Sequence, residues 1–292
     1  MKENIETLQG RSTQESEYGK QFKDITMLHL DGVPIGIHEI SPETQKTEVP
    51  VVFAPGWAAT PKIYKSNLVA LAEAGRKVIA VDAPHGISTP EAENYAAAEL
   101  RKAAAILKAL EAKGVERVDV IGHSEGAIYL LMIARMYPEK IRNMVLIDPP
   151  GLIGEDNAAR LLVGFSIDIV RETIRKITHP SPDMPQNSIL EPLRIIKENP
   201  TQAIREVLAI ADSDIREMLT FAKEHGIGIS VIHAVDDGFF PMERVQKVID
   251  PAQIDGFYSV RGTHQVFTLE PVKYTKLAET ALSDLEKKHG AT

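Results

Sequence analysis

The chain has 292 residues, 43% of them hydrophobic and 25% charged, enough for one large domain with a substantial buried core. Its 33 basic and 41 acidic residues leave a net charge of −8, which argues against nucleic acid and against charge-driven binding to anionic membranes. There is no cysteine, hence no disulfide and no thiolate metal site. No run approaches the roughly 18 apolar residues of a membrane span. The polar N-terminus lacks the apolar core of a signal peptide, so a cytoplasmic setting is expected, with residues 1–23 loosely ordered.

Ile25 to Ile40 reads as two strands joined at Asp31-Gly32, a hairpin signal. Val51–Ala54 is a short apolar run typical of a strand buried on both faces, and it leads into Pro55-Gly56-Trp57. Thr60-Pro61 offers an N-cap followed by a first-turn proline, so a helix is expected to start there. Lys77–Val81 is the next strand and leads into Asp82-Ala83-Pro84-His85-Gly86. Thr89-Pro90 opens a long helix carrying Ala96, Leu100, Ala103, Leu107 and Leu110 on one face, with Gly114 at its end. Strand Val118–Ile121, a helix to about Tyr137 and strand Met144–Ile147 continue the alternation. Strands alternating with helices through short links predict a parallel sheet covered on both faces.

From Gly151 the pattern changes. Val163, Ile167, Val170, Ile174 and Ile177 form one helical stripe. Asn199-Pro200 caps a helix with Ile204, Val207, Leu208 and Ala211, and Ile215, Met218, Leu219 and Ala222 form a third stripe. No strand interrupts them. Residues 151–226 are therefore read as an all-helical cap inserted after the sixth strand, with His179–Pro182 as its internal loop. The core is residues 1–150 and 227–292. Alternation resumes with strand Ile229–Ile232, a helix through Val245 and Val248, strand Gly256–Val260, and a last helix from about Glu270 to Lys287.

The pentapeptide Gly122-His123-Ser124-Glu125-Gly126 lies between a buried-type strand and an apolar helix. A serine on a one-residue turn from strand to helix needs small neighbours, because the two elements crowd each other there. On this motif in this setting the sequence resembles the α/β-hydrolase superfamily, over nearly its whole length. The resemblance implies an α/β fold with a mostly parallel sheet, a helical cap and no cofactor. It implies Ser124 as nucleophile, then an acid, then His264 as base after the last strand. The family's acid stands shortly before a proline, matching Asp237 and Pro241. Asp236 is its neighbour, and Asp148, after the preceding strand, is the alternative.

The resemblance also implies backbone donors for an oxyanion at Glu125 and in the Pro55-Gly56-Trp57 loop, where Trp57 is the candidate and Pro55 replaces the family's histidine. His123 is read as packing below the turn, Glu125 as acting through its amide, and the loop with His85 as structural. Gly226-Ile227-Gly228 lacks the spacing of a dinucleotide loop, and no metal-ligand spacing occurs. Gly56, Phe239, Phe240, Met218 and Leu219 are the expected substrate pocket. The expected activity is a serine hydrolase cleaving small or medium apolar esters through an acyl-serine. Lactonase, C–C bond hydrolase or peptidase chemistry uses the same triad, and a low-turnover ligand receptor or scaffold is the reading from another class.

Overall fold

The computed structural model describes residues 16–83, 97–154, 156–178 and 190–290. Helix α1 (Glu17–Lys23) precedes the hairpin of β1 (Ile25–Leu30) and β2 (Val33–Ile40). Asp31 and Gly32 both take positive φ, 51° and 80°, as a two-residue hairpin turn demands. Then come β3 (Val51–Ala54), α2 (Lys65–Glu73), β4 (Val78–Asp82), α3 (Ala97–Ala112), β5 (Val118–His123), α4 (Gly126–Met136) and β6 (Ile141–Ile147). Four helices follow: α5 (Ala158–Thr178), α6 (Leu190–Glu198), α7 (Pro200–Ala211) and α8 (Arg216–Glu224). The chain ends with β7 (Gly228–Ala234), α9 (Met242–Val248), β8 (Gly256–Val260), α10 (Val266–Leu269) and α11 (Pro271–His289).

The strands form one sheet in the order β1-β2-β4-β3-β5-β6-β7-β8. The first two pairings in that order are antiparallel and the others parallel. Successive residues alternate between two cores. Val52 and Ala54 face the side covered by α3, α4 and α8, while Val51 and Phe53 face α2 and α11. After β3 the chain steps outward to β4, then returns past β3 to β5. That reversal opens a crevice beyond the carboxyl ends of β3 and β5.

Four expectations change. Residues 17–23 are ordered as α1, because Phe22 is buried and stacks on His38 at 4.4 Å; residues 1–15 lie outside the described part. The helix expected at Thr60-Pro61 begins only at Lys65, since Thr60 donates its hydroxyl to Glu191 of α6 and residues 61–64 form a turn. Among the described residues no strand falls between β6 and β7, yet α8 packs on α4 and β7 as part of the sheet's cover. A crossover between parallel neighbours needs such a helix. Leu219 is therefore core, and Met218 faces a groove beside Ile128, Met132 and Phe221 on the flank of the sheet. Finally, Val163, Ile167, Val170, Ile174 and Ile177 of α5 are 45–76% exposed, so that stripe faces away from the molecule. His85, Thr89-Pro90, Ala96 and His179–Pro182 lie outside the described residues.

Candidate active site

Ser124 follows β5 directly, with φ 52°. This left-handed conformation is costly for a residue with a Cβ and recurs at functional turns. The ladder holds it there. Its N–H donates to Ile147 O at 2.8 Å, and its own carbonyl accepts from Ala127 N at 2.9 Å. The flanking glycines answer to close approach. A Cβ on Gly126 would stand 2.3 Å from Ala54 O, and one on Gly122 would stand 2.9 Å from Ala127 N.

His264 and Asp237 leave the ends of β8 and β7, which pair level with each other at Ala234 and Val260. His264 Nε2 lies 2.8 Å from Ser124 Oγ, and Asp237 Oδ2 lies 2.8 Å from His264 Nδ1. With Nδ1 protonated, the ring donates to the carboxylate and Nε2 is left to accept the serine hydroxyl. The other carboxylate oxygen accepts from Phe239 N at 2.7 Å and Phe240 N at 2.9 Å. All three side chains are buried. Burial opposes a charge on Asp237, but the imidazole and these donors hold its pKa below the ordinary 3.8. Burial likewise opposes a charge on His264, but Asp237 and the two further carboxylates, Asp148 and Asp168, raise its pKa above 6.5.

The two other candidate acids stand apart from the imidazole nitrogens. Asp236 is exposed. Asp148 is fully buried with φ 46°, and its Oδ1 accepts from Ala234 N at 2.6 Å. Burial and the nearby Asp237 charge push its pKa well above the ordinary 3.8. Ligand atoms of Asp148, His233 and Asp237 lie within 4.8 Å of one another. Yet both Asp237 oxygens serve His264, Phe239 and Phe240, and His233 Nε2 donates to Phe240 O at 2.8 Å. Asp148 Oδ2 and His233 Nδ1 have no hydrogen-bond partner among the described residues.

The amides of Trp57 and Glu125 make no hydrogen bond among the described residues. A Cβ on Gly56 would stand 3.1 Å from Ser124 Cβ, so this loop lies against the serine. Tyr64 ties it down: its oxygen accepts from Gly56 N at 3.3 Å and donates to His123 Nδ1 at 2.7 Å. His123 Nε2 in turn donates to His264 O at 3.1 Å. Burial, then the neighbouring His264, lowers His123 to about 3, so it stays neutral and acts as a fixed link. His123 thus supports the base's backbone, which sequence reasoning missed. The Glu125 side chain is also more than a dipole partner. It is fully buried and paired at 2.6 Å with Lys102 of α3, which also lies 3.1 Å from Glu206 of α7.

Above the serine lies a cavity of about 850 Å³, open mouth included. The core contributes Gly56, Trp57, Phe239 and Phe240 to its wall. Helices α5 and α7 contribute Leu161, Phe165, Ile169, Val207 and Ile210, together with the acids Asp168 and Glu172. Met218 and Leu219 take no part, for the reason given by the position of α8. The missed signal was present: 161, 165, 168/169 and 172 are also a helical stripe of α5, a rotation away from the stripe that the apolar pattern favoured.

Among the described residues no helix is long and apolar enough to cross a membrane. Comparison with known proteins finds a protein of Mycobacterium phage D29 with the provisional name non-heme haloperoxidase. It is 25% identical over 280 residues, covering 90% of this chain and 96% of its own. The 2-hydroxy-6-oxo-2,4-heptadienoate hydrolase of Pseudomonas putida is 27% identical over 210 residues, 62% of this chain and 70% of its own. Among solved structures, a thermophilic esterase from Thermogutta terrifontis superposes with a TM-score of 0.62 at 18% identity. It covers 89% of this chain and 97% of its own, a likeness of fold. The model of the alpha/beta hydrolase fold family matches residues 49–203, just over half of the chain, and with the sheet order and the turn at Ser124 it establishes that the chain belongs to that family.

Proposed function

We propose that the protein is a serine hydrolase of the carboxylesterase type, cleaving small or medium esters with an apolar acyl group. The observation that carries this reading is the relay Ser124–His264–Asp237, 2.8 Å at each step, beside two amides with no partner among the described residues. His264 takes the Ser124 proton as Oγ attacks the ester carbonyl, and Asp237 holds the imidazole in its tautomer and balances its charge. The Trp57 and Glu125 amides receive the oxyanion. His264 then protonates the leaving alcohol, and a water activated by the same ring releases the acid. Helices α5–α7 act as the cap: they wall the cavity and keep bulk water from the acyl-serine.

The dienoate hydrolase among the relatives acts on a carboxylate. The cavity here offers such an anion no lysine or arginine among its described lining residues and presents Asp168 and Glu172 instead, which disfavours an anionic acyl group. Ser124→Ala tests the proposal. We expect kcat for p-nitrophenyl butyrate to fall by roughly 10³-fold or more, with an unchanged circular dichroism spectrum and loss of fluorophosphonate labelling. Full ester turnover by this variant would sink the reading.

A further inference from the structure

Asp168 sits in the cavity wall and makes no hydrogen bond to the relay. It is 2% exposed, and neither carboxylate oxygen has a hydrogen-bond partner. Arg171, with its side chain half exposed, stands 3.8 Å from Oδ1, beyond hydrogen-bond reach. The placement is tight. Gly164 lets α5 lie against the loop after β7, where an added Cβ would stand 3.1 Å from Gly238 O. Asp168 Oδ1 packs on Gly238 itself, next to Asp237. A buried carboxylate without a hydrogen-bond partner is expensive to keep, and such groups cluster where a ligand completes them.

The surroundings specify the ligand. One turn before Asp168, Phe165 meets Trp57 edge-on at 5.0 Å between centroids and Phe239 at 6.3 Å. One turn after it, Glu172 lines the same cavity. A carboxylate beside three aromatic rings, with a second acid one turn away, suits a compact organic cation. The rings take its methylene stem and face its charge, while the acid accepts its N–H groups. Burial raises the Asp168 pKa to about 6, which leaves the group largely ionised at neutral pH.

We propose that Asp168 anchors a protonated amine, so that this cavity selects alkylammonium compounds and the substrate carries a primary amino group on a short apolar stem. Turnover of such a substrate rests on the serine-hydrolase reading, but binding of the cation does not. The test is therefore first a binding measurement. By titration calorimetry near neutral pH, n-hexylammonium chloride and n-hexanol are compared on the wild-type protein, on Asp168→Asn and on Asp168→Leu. We expect the wild type to prefer the ammonium by about ten-fold or more and both variants to lose that preference. Equal affinities in the wild type, no ammonium binding at millimolar concentration, or a preference that survives in a folded variant would each overturn the proposal.

A kinetic arm compares p-nitrophenyl esters of 4-aminobutyrate and of pentanoate. Preference for the amino ester in the wild type, lost in Asp168→Asn, supports the anchor. If Asp168→Asn instead slows both esters alike and shifts the pH profile, Asp168 acts through His264 and the anchor is wrong. If neither ester turns over while the ammonium preference holds, the hydrolase reading fails and the cation site stands.

Discussion

The carboxyl edge of the sheet and the helices above it place their side chains by different rules. At the edge, position comes from strand register. Ser124 N, Asp148 N and Val235 N each continue the ladder beyond a strand end, at 2.8 Å, so the loops that follow start level with one another. Above it, position comes from the rotation of α5 about its own axis. Leu161, Phe165, Asp168 and Ile169 face the cavity, while Val163, Ile167 and Val170, one or two residues along, face outward. A register is a discrete choice that burial enforces on both faces of a strand. A helix can be turned by a residue with little change in its apolar content, and tertiary contacts decide which face is used.

That difference explains what was legible in the sequence. The strands from β3 to β7 show as apolar runs because both of their faces are buried. Ser124, Asp237 and His264 follow from the strand ends, and they meet in space. The insertion was legible as helical, but its working face was not. On α5 the most apolar stripe is the exposed one, and the cavity face carries two acids that an apolar pattern discounts. Its far boundary was misread as well. Met218 and Leu219 look like the stripes before them, and only the need to cover the β6–β7 crossover assigns α8 to the core.

The largest test strikes the edge. Asp237→Asn keeps an acceptor but pairs it poorly with the imidazole, and we expect kcat to fall by about 10⁴-fold. Asp148→Asn should cost far less, because the imidazole pairs with Asp237 and an amide oxygen at 148 can still accept from Ala234 N. Comparable losses in both would mean that the two strand ends share the acid's role. The same geometry sets a pH profile. His264 must be neutral to accept the serine proton, and its pKa is raised above 6.5 chiefly by Asp237, against the effect of burial. We therefore expect kcat/KM to climb with pH on the alkaline side of that value. The residual activity of Asp237→Asn should show its limb at lower pH. A limb that does not move with Asp237 would assign the titration to another group.

A ten-fold scale of effect belongs to the insertion. Ile169→Gln and Val207→Gln change the cavity wall, whereas Ile174→Gln changes the exposed stripe and Met218→Gln the groove beside α4. We expect the first pair to shift kcat/KM between acetyl and octanoyl esters by roughly ten-fold, and the second pair to leave the chain-length profile in place. A profile that moves with Ile174 would mean that the outer face of α5 reaches the substrate, and the rotation of the helix assigned here would be wrong.

The smallest effect separates the two regions at their seam. Asp255 binds α8 to the core. It accepts from Lys223 of α8 at 2.6 Å, from Ile229 N of β7 at 2.8 Å and from Lys288 of α11 at 2.8 Å. Burial works against its charge, but the paired lysines and the amide hold its pKa below the ordinary 3.8. A carboxylate whose folded pKa is depressed stabilises the fold above its unfolded pKa and ceases to do so as pH falls through the folded one. Asp255→Asn should therefore lower Tm near neutral pH by a few degrees, the scale of about 1 kcal/mol in a chain of this size. The gap from the wild type should close in acid. If α8 belonged to the cap, loosening it would change the chain-length profile along with Tm. If it belongs to the sheet's cover, as its packing on α4 and β7 indicates, Tm should fall and the profile should stay where it is.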